Sequence, residues 1–164
     1  MSKLPENFHI RLFRTYKDTH CFYMPTLKLE HMDITICLEG EMTYYIDDER
    51  VKLSRGDAII IAPGCRRKRY RSAGNVCYAS FNIVTPPYWM PENRGVIHGC
   101  VDSSITYLLQ LFKSEWLGSS PQKCDKCNAL FTFCDRRRVK AEILRCPHIQ
   151  GTRKYTVSRH LPLP

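Results

Sequence analysis

Residues 33–82 read DITICLEGEMTYYIDDERVKLSRGDAIIIAPGCRRKRYRSAGNVCYASFN, and the alternation within this run decides the fold. Apolar and polar residues alternate through 33–38, Gly40 turns the chain, and 42–46 answers as a second strand. Asp47-Asp48 turns again into 51–53. Gly56-Asp57 then opens the apolar run 58–62, Pro63-Gly64 closes it, and VCYASFNIV follows a turn over 72–75. Short strands at this spacing, with no helical pattern between them, predict an antiparallel sandwich or barrel whose interior is filled or holds a ligand.

Working outward, FHIRLFR reads as an N-terminal strand and CFYMP as a second extended piece. On the other side, IVTPPYWMPENRG breaks the sheet pattern with its prolines and Gly95, and a boundary is expected there. From Asp102 the period becomes helical: Ile105, Leu108, Leu109, Phe112 and Trp116 form one stripe, with Asp102 or Ser103 as N-cap and Gly118 to Ser120 as the end. Pro121 is expected to begin a second helix capped by Ser120, with Cys124, Cys127, Leu130, Phe131 and Cys134 on a common face. The two form an antiparallel hairpin whose surplus apolar face packs on the sheet or pairs with a second subunit. Pro147 opens a third helical segment that Gly151 weakens.

The chain of 164 residues suits one domain with a small appendage. Its N-terminus lacks the apolar core of a signal peptide, and no apolar run is long enough to span a bilayer. A soluble, cytoplasmic protein is expected, with its nine scattered cysteines reduced. The net charge of +9 is concentrated in CRRKRYR and CDRRRVK, which suits either a nucleic-acid partner or a solvated basic face. There is no GxSxG, HExxH, P-loop or GxGxxG, so the chemistries those motifs carry are excluded.

Strand alternation supplies the candidate site. Tyr78, Ser80 and Asn82 share one face of their strand, while Cys77, Ala79, Phe81 and Ile83 share the other. Such a polar row faces either water or a polar interior. Arg67 and Arg69 alternate in the same way. If Arg67 points inward Asp33 is its natural partner, and if outward CRRKRYR is a basic edge. Tyr44, Tyr45 and Trp89 are available for stacking on a ligand or for packing, and Phe13 or Tyr16 for an arm over the pocket. Cys124, Cys127, Cys134, Cys146 and His148 contain the donors of a structural zinc site, but helical spacing equally makes the cysteines small apolar seam residues, and that reading is adopted.

Asp33 followed by Gly40, then Gly56-Asp57, AIIIA and Pro63-Gly64 before a basic segment together resemble a cupin, and more closely the N-terminal effector domain of AraC-type transcription regulators. Metal-dependent cupins carry two histidines ahead of the acidic position and a third after the Pro-Gly turn. Here Thr26-Leu27-Lys28-Leu29 and Arg67 stand in those places, and about three protein ligands are needed for a catalytic metal. His31 is the one nominee for a displaced ligand.

The resemblance implies a mainly β fold with C-terminal helices: a cupin-like jelly-roll barrel with an N-terminal arm over 1–95, a dimerising helical hairpin over 96–146, and over 147–164 the start of a linker to a DNA-binding domain that the chain lacks. It implies a non-enzymatic sensor that binds a small polar effector, sugar-like or acidic, through Asp33, Arg67, Arg69, Tyr78 and Ser80, with no metal or cofactor, with DNA contacted only through the missing domain, and with no membrane partner. The alternatives are a metal-free or displaced-ligand cupin enzyme acting on a sugar, with His31 and Tyr78 as its acid–base groups, and a zinc-binding basic interaction module.

Overall fold

The computed structural model describes residues 8–86 and 95–134. Two antiparallel sheets face each other. One contains β1 (His9–Thr19), β3 (Met32–Glu39), β6 (Ala58–Ile61), β8 (Val76–Val84) and β9 (Gly95–Ile97), in the order β1-β8-β3-β6-β9. The other contains β2 (Met24–Lys28), β4 (Glu41–Ile46), β5 (Glu49–Ser54) and β7 (Arg66–Arg69), in the order β2-β7-β4-β5. Neighbours in sequence fall in different sheets except for the β4–β5 hairpin and the pair β8 and β9, which makes this the jelly-roll form of closure. Two helices follow, α1 (Ser103–Leu117) and α2 (Lys123–Cys134). The expected fold, a cupin-like barrel followed by a helical hairpin, is the fold observed.

The turns are fixed by local chemistry. Gly40 has φ +78°, and a Cβ there would lie 2.5 Å from the Asn75 carbonyl oxygen, so no larger residue fits between β3 and β4. At Gly56-Asp57 the buried Asp57 carboxylate accepts from the backbone N–H of Ser54 at 2.9 Å and of Gly99 at 3.0 Å. The Val101 N–H reaches the Gly56 carbonyl at 3.0 Å, so one turn holds both the barrel and the loop that leads into α1.

Alternation along the strands sorts apolar residues into two cores. Inside the barrel lie Cys37, Met42, Tyr44, Ile46, Leu53, Ile59, Ile61, Val76 and Tyr78. On the outer face of the five-stranded sheet, Phe13, Ile60, Ala79, Phe81 and Ile83 pack against Ile105, Leu109, Phe112 and Cys127. Phe112 anchors this second core, with ring centroids 4.7 Å from Phe13 and 5.1 Å from Phe81, both edge-on.

Several expectations shift. Asp102 is the N-cap of α1, its Oδ1 accepting from the Ile105 N–H at 2.9 Å, and Gly118 ends the helix. The second helix begins at Lys123 rather than Pro121, because residues 121–122 form a turn around Ser120, whose hydroxyl accepts from the Gln122 N–H at 3.3 Å. Phe13 and Tyr16 belong to β1, paired along β8, and not to a detached arm. The hairpin's central stripe is used against the sheet: Ile105, Leu109 and Phe112 are buried there, while Tyr107 and Leu111 stay exposed. Leu109 is thus a core residue and not available to a subunit seam. Leu109→Asp places an unpaired charge in this core and is expected to lower unfolding free energy by at least about 3 kcal/mol in denaturant titration, whereas Leu111→Glu, on the exposed side, leaves this core intact.

Candidate functional site

The polar residues singled out by alternation meet inside the barrel. On β3, Asp33 and Thr35 face inward and are almost fully buried. Across the interior, Arg67 and Arg69 on β7 also point in, with 8 % and 7 % exposure, while Arg66 between the sheet and solvent is exposed. The basic run CRRKRYR is therefore split by its own period, half of it directed into the protein. On β8, Tyr78 is buried, and Ser80 and Asn82 on the same face are partly exposed, so the polar row opens to solvent toward the Asn82 end.

These side chains form a directed hydrogen-bond relay. Arg69 Nη1 donates to the Tyr44 hydroxyl at 3.3 Å, and Tyr44 donates to Thr35 Oγ1 at 3.2 Å. Thr35 donates to Ser80 Oγ at 3.5 Å, and Ser80 donates to Asp33 Oδ1 at 3.5 Å. The other Asp33 oxygen is ion-paired with Arg67 Nη1. One carboxylate thus terminates donors arriving from both arginines, and two of the links, Tyr44–Thr35 and Arg67–Asp33, cross from one sheet to the other. Arg69 also donates through Nε to the Phe22 carbonyl at 3.2 Å, and its guanidinium lies 5.2 Å from the Tyr78 ring centroid and 5.7 Å from that of Tyr44. Tyr16 stacks on Tyr78 at 4.6 Å, closing that side.

All five expected ligand contacts, Asp33, Arg67, Arg69, Tyr78 and Ser80, share this interior. Tyr44 and Thr35 were not among them, although Thr35 sits two residues from Asp33 on the same strand face and Tyr44 is inward-facing by the same alternation as Met42 and Ile46. Tyr45 points the other way, edge-on to Tyr70 at 5.4 Å on the outer surface. Trp89 lies outside the described residues.

The residues here do not fit a catalytic metal. Asp33 is neutralised by a guanidinium, which is no ligand, Leu29 is a core residue and Leu27 is half exposed on β2. His31 is partly buried with no hydrogen-bond partner at Nδ1, and burial, followed by the charges of Arg11 and Arg67, holds its pKa below the ordinary histidine value. Of the cysteines offered as zinc donors, Cys127 is buried in the outer core and Cys124 is exposed; Cys146 and His148 fall outside the described residues, as does the side chain of Cys134. Cys21, Cys37, Cys77, Cys124 and Cys127 are free thiols.

Burial controls the ionisation of this interior. It raises the pKa of Tyr44 and of Tyr78, opposed in each case by Arg69, and pushes the Cys37 thiol up to about 11. Burial, then the like charge of Arg69, brings Arg67 down to about 10, still protonated at neutral pH.

Residues 30–84, which carry nearly all of this interior, match the family model of the cupin domain. Among solved structures the chain is similar to a cupin protein from Bacteroides fragilis, with 18% identity over 49% of this chain and 69% of that one and a TM-score of 0.37. It is also similar to YhaK from Escherichia coli, with 16% identity over 57% of this chain and 43% of that one and a TM-score of 0.41. Apo ToxT from Vibrio cholerae is similar over 82% of this chain and 55% of its own, with 9% identity and a TM-score of 0.47. No curated protein matches the chain in sequence. No helix among the described residues is long and apolar enough to cross a membrane.

Groups whose folded pKa is raised contribute stability that is complete below their unfolded pKa and is lost as pH rises through the folded value. The unfolding midpoint is therefore expected to fall as pH is raised from about 9 to about 11, across the interval between the ordinary thiol value and that of Cys37. Thermal melts should show a shallower fall in Cys37→Ala; an equal fall would exclude Cys37 as a contributor.

Proposed function

We propose that the chain is the ligand-sensing and dimerisation part of an AraC-type transcription regulator, and that its barrel binds a small polar effector without chemistry. The observation that carries this reading is the buried polar interior. Where a metal-dependent cupin gathers histidines, this chain gathers Asp33, Arg67, Arg69, Tyr44 and Tyr78, groups suited to recognition by charge, hydrogen bonds and ring faces. The order of elements supports it as well: a barrel, then a hairpin whose inner face is fixed to the sheet that carries Asp33 and Ser80. Movement of β3 or β8 on ligand binding is transmitted directly to α1 through Phe81 and Phe112.

The homodimer forms through the outer side of the hairpin. Ser103, Ser104, Tyr107, Leu108, Leu111 and Leu130 line an open groove there, mostly apolar and with Tyr107 59% exposed. Ligand binding changes the output only to the extent that it favours one arrangement of this hairpin over another. DNA is contacted by a separate helix-turn-helix domain, and the protein works in the cytoplasm.

Two measurements test this. A thermal-shift screen over neutral sugars, sugar acids and small carboxylic acids should find a compound that raises the midpoint of the wild type but not of Tyr78→Phe; a screen empty across all of these classes counts against the barrel as a sensor. In sedimentation velocity the wild type should be a dimer and Leu111→Glu a folded monomer, and a dimer that survives the substitution removes the hairpin as the interface.

A further inference from the structure

The barrel interior holds more positive charge than negative. Asp33 is committed to Arg67 by their ion pair, and Arg69, 7 % exposed, has no carboxylate partner among the described residues. Its contacts are all neutral: the Tyr44 hydroxyl, the Phe22 carbonyl, and the faces of Tyr44 and Tyr78. A guanidinium withdrawn from water to this extent without a counter-charge is costly, and an anion placed beside it recovers that cost.

A second observation is independent of charge. Besides Asp33 Oδ2, which faces Arg67 Nη1 in the ion pair, two buried donors in this interior make no hydrogen bond, the Tyr78 hydroxyl on a side chain 1 % exposed and Arg67 Nε on one 8 % exposed. The Arg69 guanidinium lies 5.2 Å from the Tyr78 ring centroid. Arg67 Nε–H is a donor, and the Tyr78 hydroxyl is free to donate. The relay, meanwhile, runs one way, every hydroxyl in it donating toward Asp33. With Asp33 committed to Arg67, two donors and one positive charge are left over in the interior.

From this double surplus we infer that the ligand of the barrel is a small, singly charged carboxylate, held by the Arg69 guanidinium, the Tyr78 hydroxyl and Arg67 Nε–H. The inference rests on the ligand-binding role proposed above and specifies its chemistry. A carboxylate only accepts hydrogen bonds, which suits a site with surplus donors; a neutral sugar brings a donor with each hydroxyl. One negative charge balances the two arginines against Asp33, and a dianion overshoots. The near-complete burial of Tyr44, Tyr78 and both arginines favours a small ligand, and the partly exposed Ser80 and Asn82 mark the side from which it approaches.

Isothermal titration of the full chain at constant ionic strength tests this with formate, acetate and propionate, their amides, sulfate, and neutral hexoses and pentoses. At least one carboxylate should bind at least tenfold more tightly than its amide and than sulfate. Arg69→Gln should weaken that binding at least tenfold while lowering the ligand-free melting midpoint less than Arg67→Gln does, since only the latter strands a buried carboxylate. Arg69→Lys serves where Arg69→Gln does not fold, and should also lose the carboxylate-over-amide preference. An amide or sulfate that binds as well as the acid overturns the inference. A neutral sugar that binds where no carboxylate does overturns it too, and leaves the sensor role standing. Binding by none of these compounds removes the carboxylate and the ligand-binding role together.

Discussion

The ion pair between Asp33 and Arg67 joins the two sheets at the centre of the barrel, and the remaining polar interior is arranged around it. Asp33 is on the five-stranded sheet and Arg67 on the four-stranded one, so the pair forms only when both strands present the intended face. A one-residue slip in either would bury Ile34 or Lys68 opposite a lone charge. Such a pair adds little net stability over an apolar replacement, because both charges must first leave water. Losing one partner is a different matter, since the charge left behind has no solvent to return to. We take the pair chiefly as a device that fixes register, with the Tyr44–Thr35 contact repeating the same cross-sheet link one step along.

This arrangement explains why so much of the fold was legible in the sequence. Period-two alternation in 33–38, 42–46 and 76–84 identifies strands and also says which residues share a side, and both statements hold for Tyr78, Ser80 and Asn82. Gly40 and Gly56 were legible because their positive φ angles are backbone requirements that few other residues meet. What alternation does not encode is the identity of the layer that covers each face. The stripe of Ile105, Leu109 and Phe112 was visible as apolar, but nothing local says that it packs on Phe13 and Phe81 instead of on a second copy of the chain. The short strand β9 was missed for a related reason: three residues carry no period, and Gly95–Ile97 is a strand because the edge of β6 is there to pair with it.

The site was legible in its charged members and less so in its neutral ones. Arg67 and Arg69 stand out because two arginines spaced by one residue on an inward-facing strand need an explanation. Thr35 and Tyr44 do not, since a threonine and a tyrosine in strands are ordinary residues until a relay passes through them. The same relay gives the cupin frame its character here. Leu27 and Leu29 stand on and after β2, the Arg67 guanidinium takes Asp33, and the outer face of the sheet that carries Asp33 carries the helices. The polar interior and the helix-covered apolar face thereby lie on opposite sides of β3 and β8, one residue apart.

The most direct measurement of the central claim is a double-mutant cycle on the buried pair, with Asp33→Asn, Arg67→Gln and the double variant compared by chemical denaturation. If the pair organises the interior, each single change is strongly destabilising and the double variant recovers much of the loss, giving a coupling above about 2 kcal/mol. Effects that add to within about 0.5 kcal/mol would mean that the two charges fold independently, and would contradict the account.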